Sequence, residues 1–225
     1  MAESKGDSLS PGGSLFPRKS RLQPWEQLRT SLELARPPWL TVHRDEVRLP
    51  SGKVLDDFYR VVLPDFASIA AVTPAGELVL VEGYKHGLGR VSLCAPAGIL
   101  EAGESPLAGA QRELLEETGY QAADWQCLGS FLLDGNRHCG TGHFFLARQA
   151  VQVAENNTAD EAEELEVRLL KPRQFFEAIG EGAIALLPTA TTIALALATG
   201  LLGDADYETP AGWRHASRPI PRQGG

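Results

Sequence analysis

The stretch Gly98–Tyr120, GILEAGESPLAGAQRELLEETGY, constrains this chain more than any other. Glu116 and Glu117 follow Glu113 by three and four residues. On a helix those spacings bring all three carboxylates to one face. Like charges held that close repel unless a metal or a base compensates them. The same segment carries the punctuation of a helix. Ser105 suits the N-cap, Pro106 the first helical position and Gly119 the left-handed stop. Leu107, Ala110 and Leu114 fall on another face, which is expected to be buried. The segment therefore predicts a rigid helix, about Pro106 to Glu117, that presents acid on one side and anchors itself with the other.

Composition narrows what such an acidic helix can serve. Of 225 residues, 43% are hydrophobic, enough for one core of ordinary size. Lys and Arg total 21 against 29 Asp and Glu, a net charge of −8, which argues against a nucleic-acid partner. An anionic substrate would need a bridging cation. Cys94, Cys127 and Cys139 are odd in number and lack CxxC spacing, so reduced thiols in a cytoplasmic protein are expected. The N-terminus has no apolar signal core. Ala183–Leu202 is uncharged over 20 residues, the length of a membrane span. Pro188, four threonines and the absence of flanking Lys or Arg favour a buried helix from Pro188 to Thr199 instead.

Residues 1–24 and 203–225 read as a disordered and a flexible tail. In between, 25–66 is expected to form a helix (Pro24 to Ala35) followed by two strands, Leu40 to Leu49 and Val54 to Leu63. Residues 67–202 hold the remaining strands and helices: Phe66–Thr73, Glu77–Glu82, Val91–Ala95, Trp125–Leu133, Gly142–Arg148 and Leu165–Leu170 as strands, with a further helix at Arg173–Ile179. Many strands among few helices predict an α/β fold with a mixed sheet between helices rather than a doubly wound one.

The full pattern runs Gly98, five residues, Glu104, seven residues, Arg112-Glu113-Leu114, one residue, Glu116-Glu117, one residue, Gly119-Tyr120. It resembles the Nudix box, with all nine defined positions filled. The resemblance implies an α/β/α sandwich with a mixed sheet, preceded by an N-terminal antiparallel strand region. It implies a hydrolase that uses magnesium, or manganese, to cleave the pyrophosphate of a nucleoside diphosphate linked to X. Clustered carboxylates suit such hard cations. By the match, Glu113, Glu116, Glu117 and the Ala97 carbonyl would be metal ligands, with Glu117 also catalytic. Arg112 would hold a glutamate in place, Glu104 would orient its neighbours, and Gly98 would let the loop turn tightly.

Val81–Arg90 and Pro96-Ala97-Gly98 are similar to the segment that opens the box in ADP-ribose pyrophosphatases. Lys85 would then bind substrate. Asp160–Val167 resembles the acidic loop and strand of that branch, with Glu161 as the base and Glu163 as a further metal ligand; Glu163 and Glu164 are the alternative bases. The chain departs from the branch in three places. Cys94 stands where a glutamate is usual, Lys85 where arginine is common, and Phe131–Asn136 lacks the usual proline. Arg137–His143 forms a Gly-rich loop in which Arg137 would contact phosphate, or which would serve as a plain hairpin turn. The branch implies a homodimer built on the N-terminal strands, no membrane, and ADP-ribose cleaved to AMP and ribose 5-phosphate. Two alternatives stand beside it: another nucleotide sugar or dinucleoside polyphosphate as substrate, and a module that senses a nucleotide without cleaving it.

Overall fold

The computed structural model describes residues 22–155 and 164–201. Twelve strands and three helices follow in order: β1 (Glu26–Arg36), β2 (Leu40–Arg48), β3 (Val54–Val62), β4 (Phe66–Val72), β5 (Leu78–Lys85), β6 (Arg90–Cys94), β7 (Ala97–Ile99), α1 (Pro106–Thr118), β8 (Tyr120–Gln121), β9 (Asp124–Asp134), β10 (His138–Arg148), β11 (Val151–Gln152), β12 (Leu165–Leu170), α2 (Pro172–Gly180) and α3 (Leu187–Ala196). One large mixed sheet runs β1-β2-β3-β10-β4-β5-β12, with β6 on β5, β7 on β4 and β9 on β10. β10 lies parallel to β4 over Gly142–Arg148 and antiparallel to β9.

The central strands alternate between two cores, as a period of two requires. Ala67, Ile69 and Ala71 of β4, Val79 of β5, and Phe145 and Ala147 of β10 meet Ala110 and Leu114 of α1 on one face. Ala70, Val72, Leu78, Leu80 and Leu146 meet Phe175 of α2 and Ile193 and Ala196 of α3 on the other. Helices thus cover both faces of a mixed sheet, as expected. Leu114 is fully buried, which contributes about 1.5–3 kcal/mol. Leu107 departs from expectation: it is 40% exposed, because its turn of α1 lies beyond the edge of the core.

The helix expected at Pro24 to Ala35 is a strand. β1 pairs antiparallel with β2 from Glu26↔Arg48 to Arg36↔Leu40, interrupted by irregularities at Gln27/Arg29 and Leu32/Leu34. Arg48–Glu26 and Arg44–Glu33 ion pairs tie the two strands laterally. Further on, the uncharged run resolves into α3, which starts one residue before Pro188, and a π-type turn at Leu197–Leu201 containing Gly200 at φ 91°. No helix among the described residues is long and apolar enough to cross a membrane.

Candidate active site

α1 begins where its sequence says. The Ser105 side chain accepts the Ala108 N–H at 3.2 Å, Pro106 sits in the first turn, and Gly119 ends the helix at φ 72° with its N–H on the Leu115 carbonyl. Two glycines of this segment are also constrained by packing. A Cβ on Gly109 would lie 2.4 Å from Leu100, and one on Gly119 would lie 2.1 Å from the Ala154 carbonyl oxygen. α1 is therefore clamped between the loop at its start and the segment behind its end.

The acidic side of α1 is organised by Arg112. Its guanidinium donates to both oxygens of Glu104 at 3.0 Å, to Glu113 at 2.7 Å, to Glu116 at 2.9 Å and to the Ile99 carbonyl at 3.1 Å. Arg112 holds the Glu104 carboxyl down to about 2, helped by the Glu101 N–H. The same carboxylates raise Arg112 further above its ordinary range. Glu113 behaves oppositely: burial pushes its carboxyl up, against the opposing pull of Arg112.

Two carboxylates converge on β7. Glu117 is 8% exposed and accepts the Ala97 N–H at 2.9 Å. Glu113 lies so close to Gly98 that an added Cβ would fall 2.0 Å from its carboxyl carbon. β7 is held in turn by β4, through Ser68↔Ala97 and Ala67↔Gly98. Glu116 is half exposed beside them. The structure thus brings Ala97, Gly98, Glu104, Arg112, Glu113, Glu116 and Glu117 together. Among the described residues no three acidic, histidine or cysteine side chains already enclose a metal site; the cation within the cluster is Arg112. The donor set nevertheless fits a hard divalent cation: its side chains are carboxylates, and Glu113 and Glu117 converge on the same backbone segment at Ala97–Gly98.

Lys85, at the end of β5, lines a cavity of about 310 Å³ together with Ala97, Glu117, Cys94, Ser68 and Thr189. Lys85 and the acidic cluster therefore border the same space. Arg137 is not part of that lining. It lies in the β9–β10 turn, 5.4 Å over the Phe58 ring, with a 3.5 Å bond to the Tyr59 carbonyl. The turn is built by Asp134, whose side chain accepts the N–H groups of Asn136 and Arg137 at 2.7 and 2.8 Å. Glu161 and Glu163 lie outside the described residues. Reading the sequence alone missed Gly109, Ser68 and Thr189. A glycine inside a strong helix was a usable signal for the first; the other two are ordinary core threonine and serine positions until the fold brings α3 against β4.

With this geometry in hand, comparison with known proteins gives the class. The family model for the NUDIX domain matches residues 64–189, and that for the nucleoside diphosphate sugar hydrolase N-terminal domain matches residues 25–65. The chain belongs to the Nudix hydrolase family. It is 31% identical over 148 residues to an ADP-ribose pyrophosphatase of Bacillus subtilis (strain 168), spanning 62% of this chain and 80% of that relative. It is 41% identical over 90 residues to an ADP-ribose pyrophosphatase of Mycobacterium tuberculosis (strain ATCC 25618 / H37Rv), spanning 39% and 42%. A solved structure described as an ADP compounds hydrolase shares the fold, with a TM-score of 0.69 at 20% identity, covering 82% of this chain and all of that one. Nudix hydrolases generally use divalent metal cations.

Proposed function

We propose that the chain hydrolyses ADP-ribose to AMP and ribose 5-phosphate with magnesium, manganese serving as a substitute. The observation that carries this reading is the approach of Glu113 and Glu117 to Ala97–Gly98 at the edge of a cavity that also holds Lys85. The names of the two relatives support the choice of substrate. Glu113, Glu116, Glu117 and the Ala97 carbonyl would hold the metal, with Glu163 as a further ligand. A divalent cation held there would supply charge neutralisation of the pyrophosphate and a more acidic water.

The chain's own residues do the rest. Arg112 keeps Glu113 and Glu116 aimed, as its bonds to both suggest. Glu104 keeps Arg112 aimed. Lys85 meets phosphoryl charge from the cavity side. Glu161 takes a proton from the attacking water as its oxygen bonds to phosphorus and the bridging P–O bond breaks. Glu163 and Glu164 are the alternatives for that role.

The chain acts as a homodimer in the cytoplasm, without nucleic acid. Exposed Leu32 and Tyr59 on the N-terminal strands and exposed Trp39 in the turn between β1 and β2 support the first. Three free cysteines and the net charge of −8 support the others. The test is a substrate panel in magnesium: ADP-ribose, ADP-glucose, UDP-glucose, GDP-mannose and a dinucleoside polyphosphate. The highest kcat/KM belongs to ADP-ribose, with AMP and ribose 5-phosphate as products. Faster turnover of another member contradicts the substrate. Binding without turnover of any member contradicts the enzyme.

A further inference from the structure

We propose that the cavity beside the acidic cluster seats the sugar of the non-nucleoside moiety, and that Ser68 and Thr189 read its hydroxyl groups. This deepens the hydrolase reading above and rests on it. Ligand cavities run from about 300 to 1,000 Å³, and at about 310 Å³ this one takes a single compact ring rather than a dinucleotide. Its border with Glu117 and Ala97 puts the attached phosphate at the acidic cluster and the ring further in. Val81, Leu186 and Pro188 offer aliphatic surface to the C–H faces of a sugar. Phe66 is the one aromatic in the lining among the described residues, and its ring packs edge-on to Phe144 at 82°, so no pair of flat faces awaits a purine.

The hydroxyl bookkeeping supplies specificity. The Thr192 hydroxyl donates to the Pro188 carbonyl at 2.7 Å. Ser68 must then be the donor in its 2.7 Å bond to Thr192, which leaves the Ser68 oxygen as an acceptor. Thr189 accepts the Ala95 N–H at 3.1 Å, which leaves its own O–H to donate. Each hydroxyl is already held by one partner and keeps one further hydrogen-bonding capacity, in a pair of side chains that burial fixes in place at 1% and 3% exposure. One acceptor, one donor and the Lys85 ammonium match a polyol phosphate. They do not match an apolar group.

Cys94, 4% exposed in the same lining, reports occupancy. In the full chain with Cys127→Ser and Cys139→Ser, Cys94 is the sole thiol, and its labelling by methyl methanethiosulfonate is followed by mass. In magnesium, ribose 5-phosphate slows labelling and AMP does not. Protection by AMP alone, or by neither, overturns the proposal. A second measurement covers the case in which the thiol is too sheltered to label. Thr189→Val weakens competitive inhibition by ribose 5-phosphate about tenfold, the value of one hydrogen bond, and leaves inhibition by AMP unchanged; Thr189→Ser restores it. Equal weakening for both inhibitors means a structural role and overturns the hydroxyl reading. The two readings fail separately. If ADP-ribose is a poor substrate while glucose 1-phosphate protects Cys94, the substrate falls and the sugar cavity stands. If ADP-ribose is turned over and no sugar phosphate protects Cys94 or competes through Thr189, the cavity assignment falls alone.

Discussion

Gly98 is glycine because a carboxylate occupies the place where its side chain would be. An added methyl would sit 2.0 Å from the Glu113 carboxyl, and Glu113 would have to swing away from β7. Gly98→Ala is therefore expected to lower kcat by about a hundredfold, the cost of a misplacement on the order of 1 Å. The melting temperature should change less than kcat, because the group that must move is a side chain at the edge of the site and not part of either core. Unchanged kcat would remove Glu113 from the reaction. The motif announced a glycine here as a tight-turn residue; the actual reason, a close approach between residues fifteen positions apart, is invisible without the fold. Glu104 offers a pH test. Its folded value of about 2 lies below the ordinary 4.5, so its pairing with Arg112 stabilises the fold fully above pH 4.5. That contribution is lost as pH falls from 4.5 through about 2. Denaturation against pH should show Glu104→Gln less stable than wild type at neutral pH, with the two curves merging near pH 2. A difference that persists there would mean the pair is not what Glu104 contributes.

At the scale of elements, α1 was legible because its start, stop and spacing are all local. Gly119 adds a packing reason to its left-handed φ of 72°. Gly119→Ala should cost about 1–2 kcal/mol for the backbone conformation alone, and more for the contact with Ala154. Equilibrium unfolding measures it, and a loss below half a kcal/mol, roughly what an unstrained surface change costs, would contradict the account. β1 was not legible. Leu28, Leu32 and Leu34 are spaced by four and two residues, which a helix accommodates as well as a strand. What makes the segment a strand is the neighbouring edge of β2, a partner that no window of eleven residues contains. β7 was hidden likewise, three residues inside a stretch read as loop.

For the whole molecule, mixed-sheet architecture followed from the order of strands and helices, but the path β3-β10-β4 did not, because it joins segments about eighty residues apart. The cavity depends on that path, since β4, β5, β6, β7, α1 and α3 all approach it. β1 leaves Leu32 at 61% exposure, and the turn from β1 to β2 leaves Trp39 at 65%. Light scattering should give twice the 24.3 kDa chain mass, and Leu32→Glu with Trp39→Glu should shift it toward one chain. A monomer in wild type would contradict the dimer. The central claim, magnesium-dependent cleavage of a pyrophosphate at the Glu113–Glu117 cluster, meets its most direct test in one comparison. AMP release from ADP-ribose in magnesium is measured for wild type and Glu117→Gln, a change that keeps the size of the side chain and an oxygen for the Ala97 N–H. The account predicts turnover in wild type that chelation abolishes, and a loss of about a thousandfold or more in Glu117→Gln with the fold intact. Equal rates for the two proteins would contradict it.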